Sequence, residues 1–252
     1  MQFRVIPLSV NNGIMNMAID DALLELASKG DSLPIIRFYN WNPSSVSLGY
    51  YQDISKINIE NCKRLKVDYV RRPTGGGSIL HDYDKEVTYS VVAPLSLYNK
   101  NLKEAYKKIC EPLLSTLSYL SLNPYVSNTN DIMVNNKKIS GNAQTWRGGA
   151  LLQHGTMIYD LDLEKMLAVL NTSFTLEKAK EKITYVREYS DISLKELYKI
   201  MEENFCKGKD FLVSSLTKAE MDLANKLAEN KYNTLNWDKE DDKGSREACY
   251  LN

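Results

Sequence analysis

Histidine and cysteine are scarce in this chain. Histidine occurs twice, at His81 and His154, and cysteine four times, at Cys62, Cys110, Cys206 and Cys249. The cysteines are scattered without a CxxC pair, which excludes a zinc ribbon and a disulfide framework as organising devices. Net charge is absent as well, since 32 lysines and arginines oppose 32 aspartates and glutamates. The chain as a whole therefore has no field to draw it to nucleic acid or an anionic membrane, and any basic site must be local. Long apolar runs are missing too. No window approaches the roughly 18 residues of a membrane span, and "MQFRVIPLSV" lacks the apolar stretch of a signal peptide. The expectation is a soluble, cytoplasmic protein with neither nucleic acid nor membrane as partner. Neither GxxxxGK[ST] nor GxGxxG occurs, so the two familiar phosphate loops are excluded.

What remains is ordinary globular composition, with 43% hydrophobic and 25% charged residues in 252, enough for one sizeable core. "FRVIPL", "PIIRFYNW" and "SSVSLGYY" read as strands, and "NMAIDDALLELASKG" as a helix stopped by Gly30. A short helix at 59–65 leads into the strand "VDYVRR", and "EVTYSVVAP" is a further strand rich in β-branched residues. Residues 102–120 predict an amphipathic helix with Ala105, Ile109, Leu113, Leu117 and Leu120 on one stripe. "DIMV" and "KKISGNAQTW" flank an Asn-Asn turn, and Gly148-Gly149 opens a hairpin into "ALLQHGTMIYDL". From Glu164 onward the pattern is helical, at 164–170, 193–206 and 217–230. Strands interleaved with helices, followed by helices alone, predict one α/β or α+β domain with a helical end. One domain is expected over 1–238, with a polar tail at 239–252.

Chemistry concentrates in three segments. The first is "RRPTGGGSILHD", Arg71 to Asp82, which spends three of only 12 glycines side by side. Glycine is costly to order, so three together imply a sharp bend or a very close approach. Successive amides without Cβ shielding can cradle an anion. Arg71 and Arg72 point to opposite sides of their strand, so only one can serve the loop, and Arg72 is the nearer. The second segment is "NDIMVNNKKISGNAQTW". Alternation places Lys138, Ser140, Asn142 and Gln144 on one face and Ile139, Gly141, Ala143 and Thr145 on the other. That arrangement suits either a ligand lying along the strand or a solvated edge. The third is "LLQHGTMIYD", which holds His154. A histidine in an apolar strand is more often a packing residue than a catalyst, and these spacings define no Ser-His-Asp or HExxH arrangement.

Taken together, the three segments resemble the signature blocks of the lipoate–protein ligase family, in the right order and at the right separations. "EKITYVREYSDI" at 181–192 resembles a later block that helps cover the adenylate, and the resemblance spans roughly residues 1–238. It implies an α/β (α+β) catalytic domain over 1–238, a mixed β-sheet flanked by helices, of the biotin ligase and class II aminoacyl-tRNA synthetase type. It implies two-step chemistry: lipoate and MgATP give lipoyl-AMP, and the acyl group then passes to a lysine of a 2-oxoacid dehydrogenase E2 lipoyl domain or of glycine-cleavage H protein. By resemblance, Lys138 is the catalytic residue that contacts both the acyl carboxyl and the phosphate. Gly75, Gly76, Gly77, Ser78 and Ile79 would line the lipoyl and nucleotide groups, and Arg72 would approach the triphosphate. Asp131, next to Asn130, would lie near nucleotide and Mg2+. His81, His154, Gly155 and Thr156 would complete the binding set, and Gly141 and Ala143 would border an apolar tunnel for the alkyl chain.

Two alternatives accompany this expectation. Octanoyltransferases of the same fold take the acyl group from acyl-carrier protein through a cysteine thioester, without ATP. Their cysteine lies upstream of the KISG-type block or on a later loop, whereas this chain has none between Cys110 and Cys206. The ligase is therefore favoured over the transferase. The other alternative is a lipoyl-binding protein without activity. The resemblance also leads to the expectation of a separate small accessory subunit, because in fused ligases a further small domain follows.

Overall fold

The computed structural model describes residues 1–30, 32–127 and 130–233; the expected boundary at 238, the polar tail and Cys249 lie outside them. Its centre is an eight-stranded mixed sheet in the order β11-β1-β2-β6-β10-β9-β8-β7. The strands are β1 (Gln2–Asn11), β2 (Ile35–Trp41), β6 (Glu86–Pro94), β7 (Tyr125–Ser127), β8 (Asp131–Val134), β9 (Lys137–Arg147), β10 (Ala150–Ile158) and β11 (Asp210–Val213). β1 runs parallel to both β2 and β11, and the remaining neighbours are antiparallel. A second, three-stranded sheet has the order β4-β3-β5, formed by β3 (Ser45–Leu48), β4 (Asp68–Arg71) and β5 (Ile79–His81).

Helices cover both faces of the large sheet. On one lie α3 (Leu102–Tyr119) and α6 (Leu194–Cys206), whose Ile109, Leu113, Leu117, Leu197, Met201 and Phe205 pack with Phe38, Val91 and Leu151 of the sheet. The apolar stripe expected for α3 is the buried one, with Leu120 partly buried just beyond the helix. On the other face α1 (Gly13–Ser28) and α7 (Lys218–Leu227) share a cluster that includes Ile19, Leu23, Leu24, Leu152 and Ala224. Asn12 starts α1 by accepting the Met15 N–H, and Gly30, at φ +101°, follows its end. The small sheet packs with α2 (Ile59–Leu65), α4 (Leu163–Val169) and α5 (Leu176–Lys182) around Val46, Leu80, Met166, Val169 and Ala179.

The expected fold class holds, with one correction in the last third of the chain. Helices do not run alone there, because β11 returns to pair with β1 at the sheet edge. All four β11 residues are exposed, so no alternation of buried and polar positions marks the strand. The three-residue strands β5 and β7 and the short helix α5 also go unannounced by periodicity.

α1 is buried through much of its length and carries Asn16, Asp20 and Asp21 into the interior. Asp20 accepts from Arg37 Nη1 at 2.8 Å, Tyr39 Oη at 2.8 Å, Ser90 Oγ at 2.8 Å and His154 Nδ1 at 3.1 Å. Burial opposes its ionisation, but the bonds from His154, Arg37 and Ser90 outweigh this and hold the carboxyl below its usual value. Burial in turn lowers the His154 pKa and keeps the ring neutral, so its contact with Asp20 is an N–H to carboxylate bond. Asp21 is also lowered: Lys231, Arg147 and Tyr232 outweigh its burial.

Asp20→Ala leaves the Arg37 guanidinium buried without its counter-charge and is expected to cost about 3–5 kcal/mol, read as a shift in the urea midpoint. Because both carboxyls have folded values below their unfolded ones, their contribution is present above the ordinary carboxylate value of 3.8. It is lost as pH falls through the folded values. Stability of the wild type is therefore expected to drop below about pH 4, with a weaker acid-side dependence in Asp20→Ala, measured by urea titration across pH.

Candidate active site

Three glycines stand together because the loop they form is pressed against backbone. A Cβ on Gly49 would overlap the carbonyl oxygen of Gly76, which itself sits at φ +97°. Gly77 faces open space, so the loop leaves room beside its main chain. Arg72 holds this loop from within. Its Nη2 donates to Gly75 O at 2.6 Å and Gly77 O at 2.8 Å, its Nε to Thr74 Oγ1 at 3.1 Å, and its Nη1 to Ser47 O and Oγ, both at 3.1 Å. Arg72 is thus the arginine that serves the loop, as a brace as well as a lining group. Arg71 turns to the carbonyls of Gly49, Tyr50 and Gln52.

Between this loop and β9–β10 lies a cleft of about 330 Å³. Arg72, Gly75, Gly76, Gly77, Ser78, Ile79, His81, Lys138, Gly141, Ala143, His154, Gly155 and Thr156 all line it. A second cleft of about 540 Å³ adjoins it and takes in Asp131, so every residue given a site role by the resemblance lines one of the two clefts. Ser78, Ile79, Lys138, Gly141 and Thr156 belong to both clefts. The inner one is walled by Met17, Tyr39, Trp41 and Tyr106. The outer one combines Leu80, Met133, Ile158, Leu161 and Phe174 with Lys56, Lys85 and Lys182.

The strand-face expectation for Lys138 is corrected. Asp131 pairs with Gly141 and Ile132 with Ser140, but Met133 pairs with Lys138, so β9 carries a bulge at Ile139. The extra residue moves Lys138 onto the face of Gly141, while Ile139 and Ser140 are both fully buried. Lys138 Nζ meets Asp131 Oδ1 at 2.7 Å and lies across Gly141, where a Cβ would come within 2.7 Å of Cε and 2.8 Å of Nζ. Asn130 and Asn142 clamp the Asn-Asp segment onto β9, each amide donating to the other's main-chain oxygen at 2.9 and 2.8 Å. The block at 181–192 abuts the same place, since Thr184 N–H donates to Lys138 O at 2.9 Å.

Both histidines are held at both ring nitrogens. His154 Nε2 meets Thr74 Oγ1 at 2.7 Å opposite its bond to Asp20. His81 lies between Ser47 Oγ at 2.9 Å and Glu86 Oε1 at 2.7 Å, stacked on Trp41 at 3.9 Å. Gly155 is needed because a Cβ there would overlap the Asn142 amide oxygen. Among the described residues no group of three or more His, Cys, Asp or Glu forms a metal site, and Asp131 is engaged by Lys138. The residues present thus do not build a protein-held metal centre, and a Mg2+ would have to come with its phosphates. Cys62, Cys110 and Cys206 are buried, and none lines either cleft.

Sequence reasoning missed Gly49, Ser47, Trp41, Glu86 and Tyr106. Ser47 comes beside His81 only through the pairing of β3 with β5, and no local pattern in the sequence marks these positions.

Residues 12–206 match the model of the lipoyl protein ligase A/B catalytic domain. The chain belongs to that family. It is 33% identical to an octanoyltransferase LipM of Clostridioides difficile, covering 94% of this chain and 98% of the relative. It is 34% identical to the octanoyltransferase LipM of Staphylococcus epidermidis, over 90% and 94%. Among solved structures it resembles a bi-partite lipoate protein ligase of Thermoplasma acidophilum, described with its E2 lipoyl domain. That match has a TM-score of 0.84 and 28% identity over 94% of this chain and 96% of the other. A lipoate-protein ligase A bound with ATP gives 0.80 and 28%, over 93% and 97%. The family expectation is met. The preference for ligase over transferase is not met by the curated relatives, which carry the transferase name.

Gly141→Ala is expected to leave stability within about 1 kcal/mol, because the atoms it meets end a flexible side chain. Catalysis should fall at least tenfold as the Lys138 amine is displaced, measured as acyl transfer alongside a thermal melt. Gly49→Ala meets main chain instead and is expected to lower both activity and melting temperature.

Proposed function

We propose that this chain transfers a lipoyl or octanoyl group to the lysine amine of a lipoyl domain, and that activation occurs at Lys138. The observation that carries this reading is the meeting of two clefts at one lysine. A chain entering the inner cleft along Gly141, Thr156 and the glycine loop brings its carboxyl end to the ammonium. The outer cleft then receives the activating group on the far side of the same ammonium. Carboxylate and phosphate repel one another, and a cation aimed at both lowers that barrier where solvent is reduced. Water exclusion matters equally, because an activated acyl group hydrolyses.

For the activating group, ATP is the reading the geometry supports best. The outer cleft offers an apolar surface for a base and Lys56, Lys85 and Lys182 for phosphates, and no cysteine among the described residues lines either cleft. In this branch lipoate or octanoate becomes the acyl-adenylate, with Mg2+ arriving on the nucleotide. A separate accessory chain belongs to the same branch, on the likeness to the bi-partite ligase. The second branch, octanoyl transfer from an acyl-carrier protein thioester, is favoured by the names of the relatives at 33–34% identity. Both branches share acceptor, acyl cleft and Lys138.

One experiment separates them. The purified chain and a lipoyl domain are given either lipoate with MgATP or octanoyl-acyl-carrier protein without ATP, and the acceptor is weighed by mass spectrometry. Modification in the first arm is the expected result; modification in the second alone would replace the adenylate by the thioester. No modification in either arm, with or without an accessory protein from the same source, would refute acyl transfer. Lys138→Ala is expected to lose transfer by about 100-fold or more, while Lys137→Ala, on the turn side of the bulge, stays within a few-fold of wild type.

A further inference from the structure

Ser47, His81 and Glu86 come from three different strands and meet at the wall of the inner cleft. Ser47 Oγ lies 2.9 Å from His81 Nε2, and His81 Nδ1 lies 2.7 Å from Glu86 Oε1. Both distances are within the range of a nucleophile, its base and the group that orients the base. Proton positions follow from the neighbours. Arg72 Nη1 can only donate, and it donates to Ser47 Oγ at 3.1 Å. The Ser47 proton is therefore free for His81 Nε2, and in that tautomer His81 Nδ1–H donates to Glu86. Glu86 Oε1 is fixed further by Thr88 Oγ1 at 2.6 Å, which itself accepts from Trp41 Nε1 at 2.9 Å. Trp41 stacks on the imidazole at 3.9 Å and 10°, so the ring cannot turn. Ser47 and His81 line the inner cleft and Glu86 lines the outer one.

We infer that Ser47, His81 and Glu86 form a nucleophilic triad that carries the acyl group as a serine ester. The inference rests on the acyl-transfer reading above and supplies its thioester branch with the nucleophile that no described cysteine provides. Ser47 Oγ attacks the carbonyl of an octanoyl thioester while its proton passes to His81 Nε2. The C–S bond breaks, and the carrier thiol leaves with that proton. The lysine amine of the acceptor then attacks the ester, the C–O bond breaks, and Ser47 recovers a proton through His81. Thioester and amine become thiol and amide, with no other reactant. Arg72 beside Ser47 Oγ stabilises the developing alkoxide, and Glu86 stabilises the imidazolium.

The test is intact-mass analysis of the wild-type chain after mixing with octanoyl-acyl-carrier protein without acceptor or ATP, followed by peptide mapping. One octanoyl increment on Ser47, discharged by adding a lipoyl domain, is the expected result. Ser47→Cys should carry the increment as a thioester released by neutral hydroxylamine. Ser47→Ala should transfer from the thioester at least about 1,000-fold more slowly, with octanoate binding by calorimetry checking that its cleft is intact. If Ser47→Ala does not fold, the wild-type adduct map and Ser47→Cys decide. Absence of the increment, its location on another residue, or wild-type transfer by a folded Ser47→Ala overturns the inference. Acyl transfer itself stands or falls separately, on whether the acceptor is modified with either donor.

Discussion

One buried guanidinium organises the site. Arg72 is 4% exposed, and burial pushes its pKa down to about 10, which still leaves it charged at neutrality. It keeps that charge inside the protein by giving its protons to carbonyls and hydroxyls that surround it, the arrangement that makes a buried cation tolerable. Those acceptors are the glycine loop, Thr74 and Ser47. Through Thr74 the brace continues to His154 and Asp20, and from Asp20 to Arg37. The loop is thus shaped by a polar network that runs from β4 to the middle of α1. Glycine is needed where that network pulls main chain against main chain, at Gly49 and Gly76.

Lys138 stands in contrast. It is 37% exposed at its side chain and, among the described residues, paired with Asp131, so its ammonium can exchange that partner for an arriving anion. The bulge in β9 and the bare surface of Gly141 set where it can reach. A strand without the bulge would turn the amine to the opposite face and leave the inner cleft without a cation at its mouth. Positive charge is thereby rigid at Arg72, which shapes the pocket, and adaptable at Lys138, which stands at its edge.

The long elements were legible because their patterns are strong. α3 shows an apolar stripe at helical spacing, α1 has a glycine just past its end, and β6 is dense in β-branched residues. The three signature segments were legible for another reason: glycine, lysine and histidine cluster there without any need of the core. What stayed hidden depended on pairing. The face of Lys138 turned on one extra residue opposite Ile132, which alternation cannot reveal. Ser47 looked like one serine among several in "SSVSLGYY" until β5 brought His81 beside it. β11 exposes every side chain, so nothing in its composition distinguishes it from a loop.

The two clefts share a wall of five residues, and this has a consequence for how such a protein can change over generations. In the acyl-transfer reading proposed above, the inner chamber serves the part of the reaction that does not vary, the acyl chain ending at Lys138. To residues of the main sheet the outer chamber adds Leu161, Met166, Leu170, Phe174 and Lys182 from α4, α5 and the segments around them, elements that pack with the small sheet. Substitutions there can alter how the acyl group is delivered without disturbing where it is held. Relatives that differ in donor can therefore keep one scaffold, and the dividing wall, rather than either chamber, is where tolerance to mutation should be lowest.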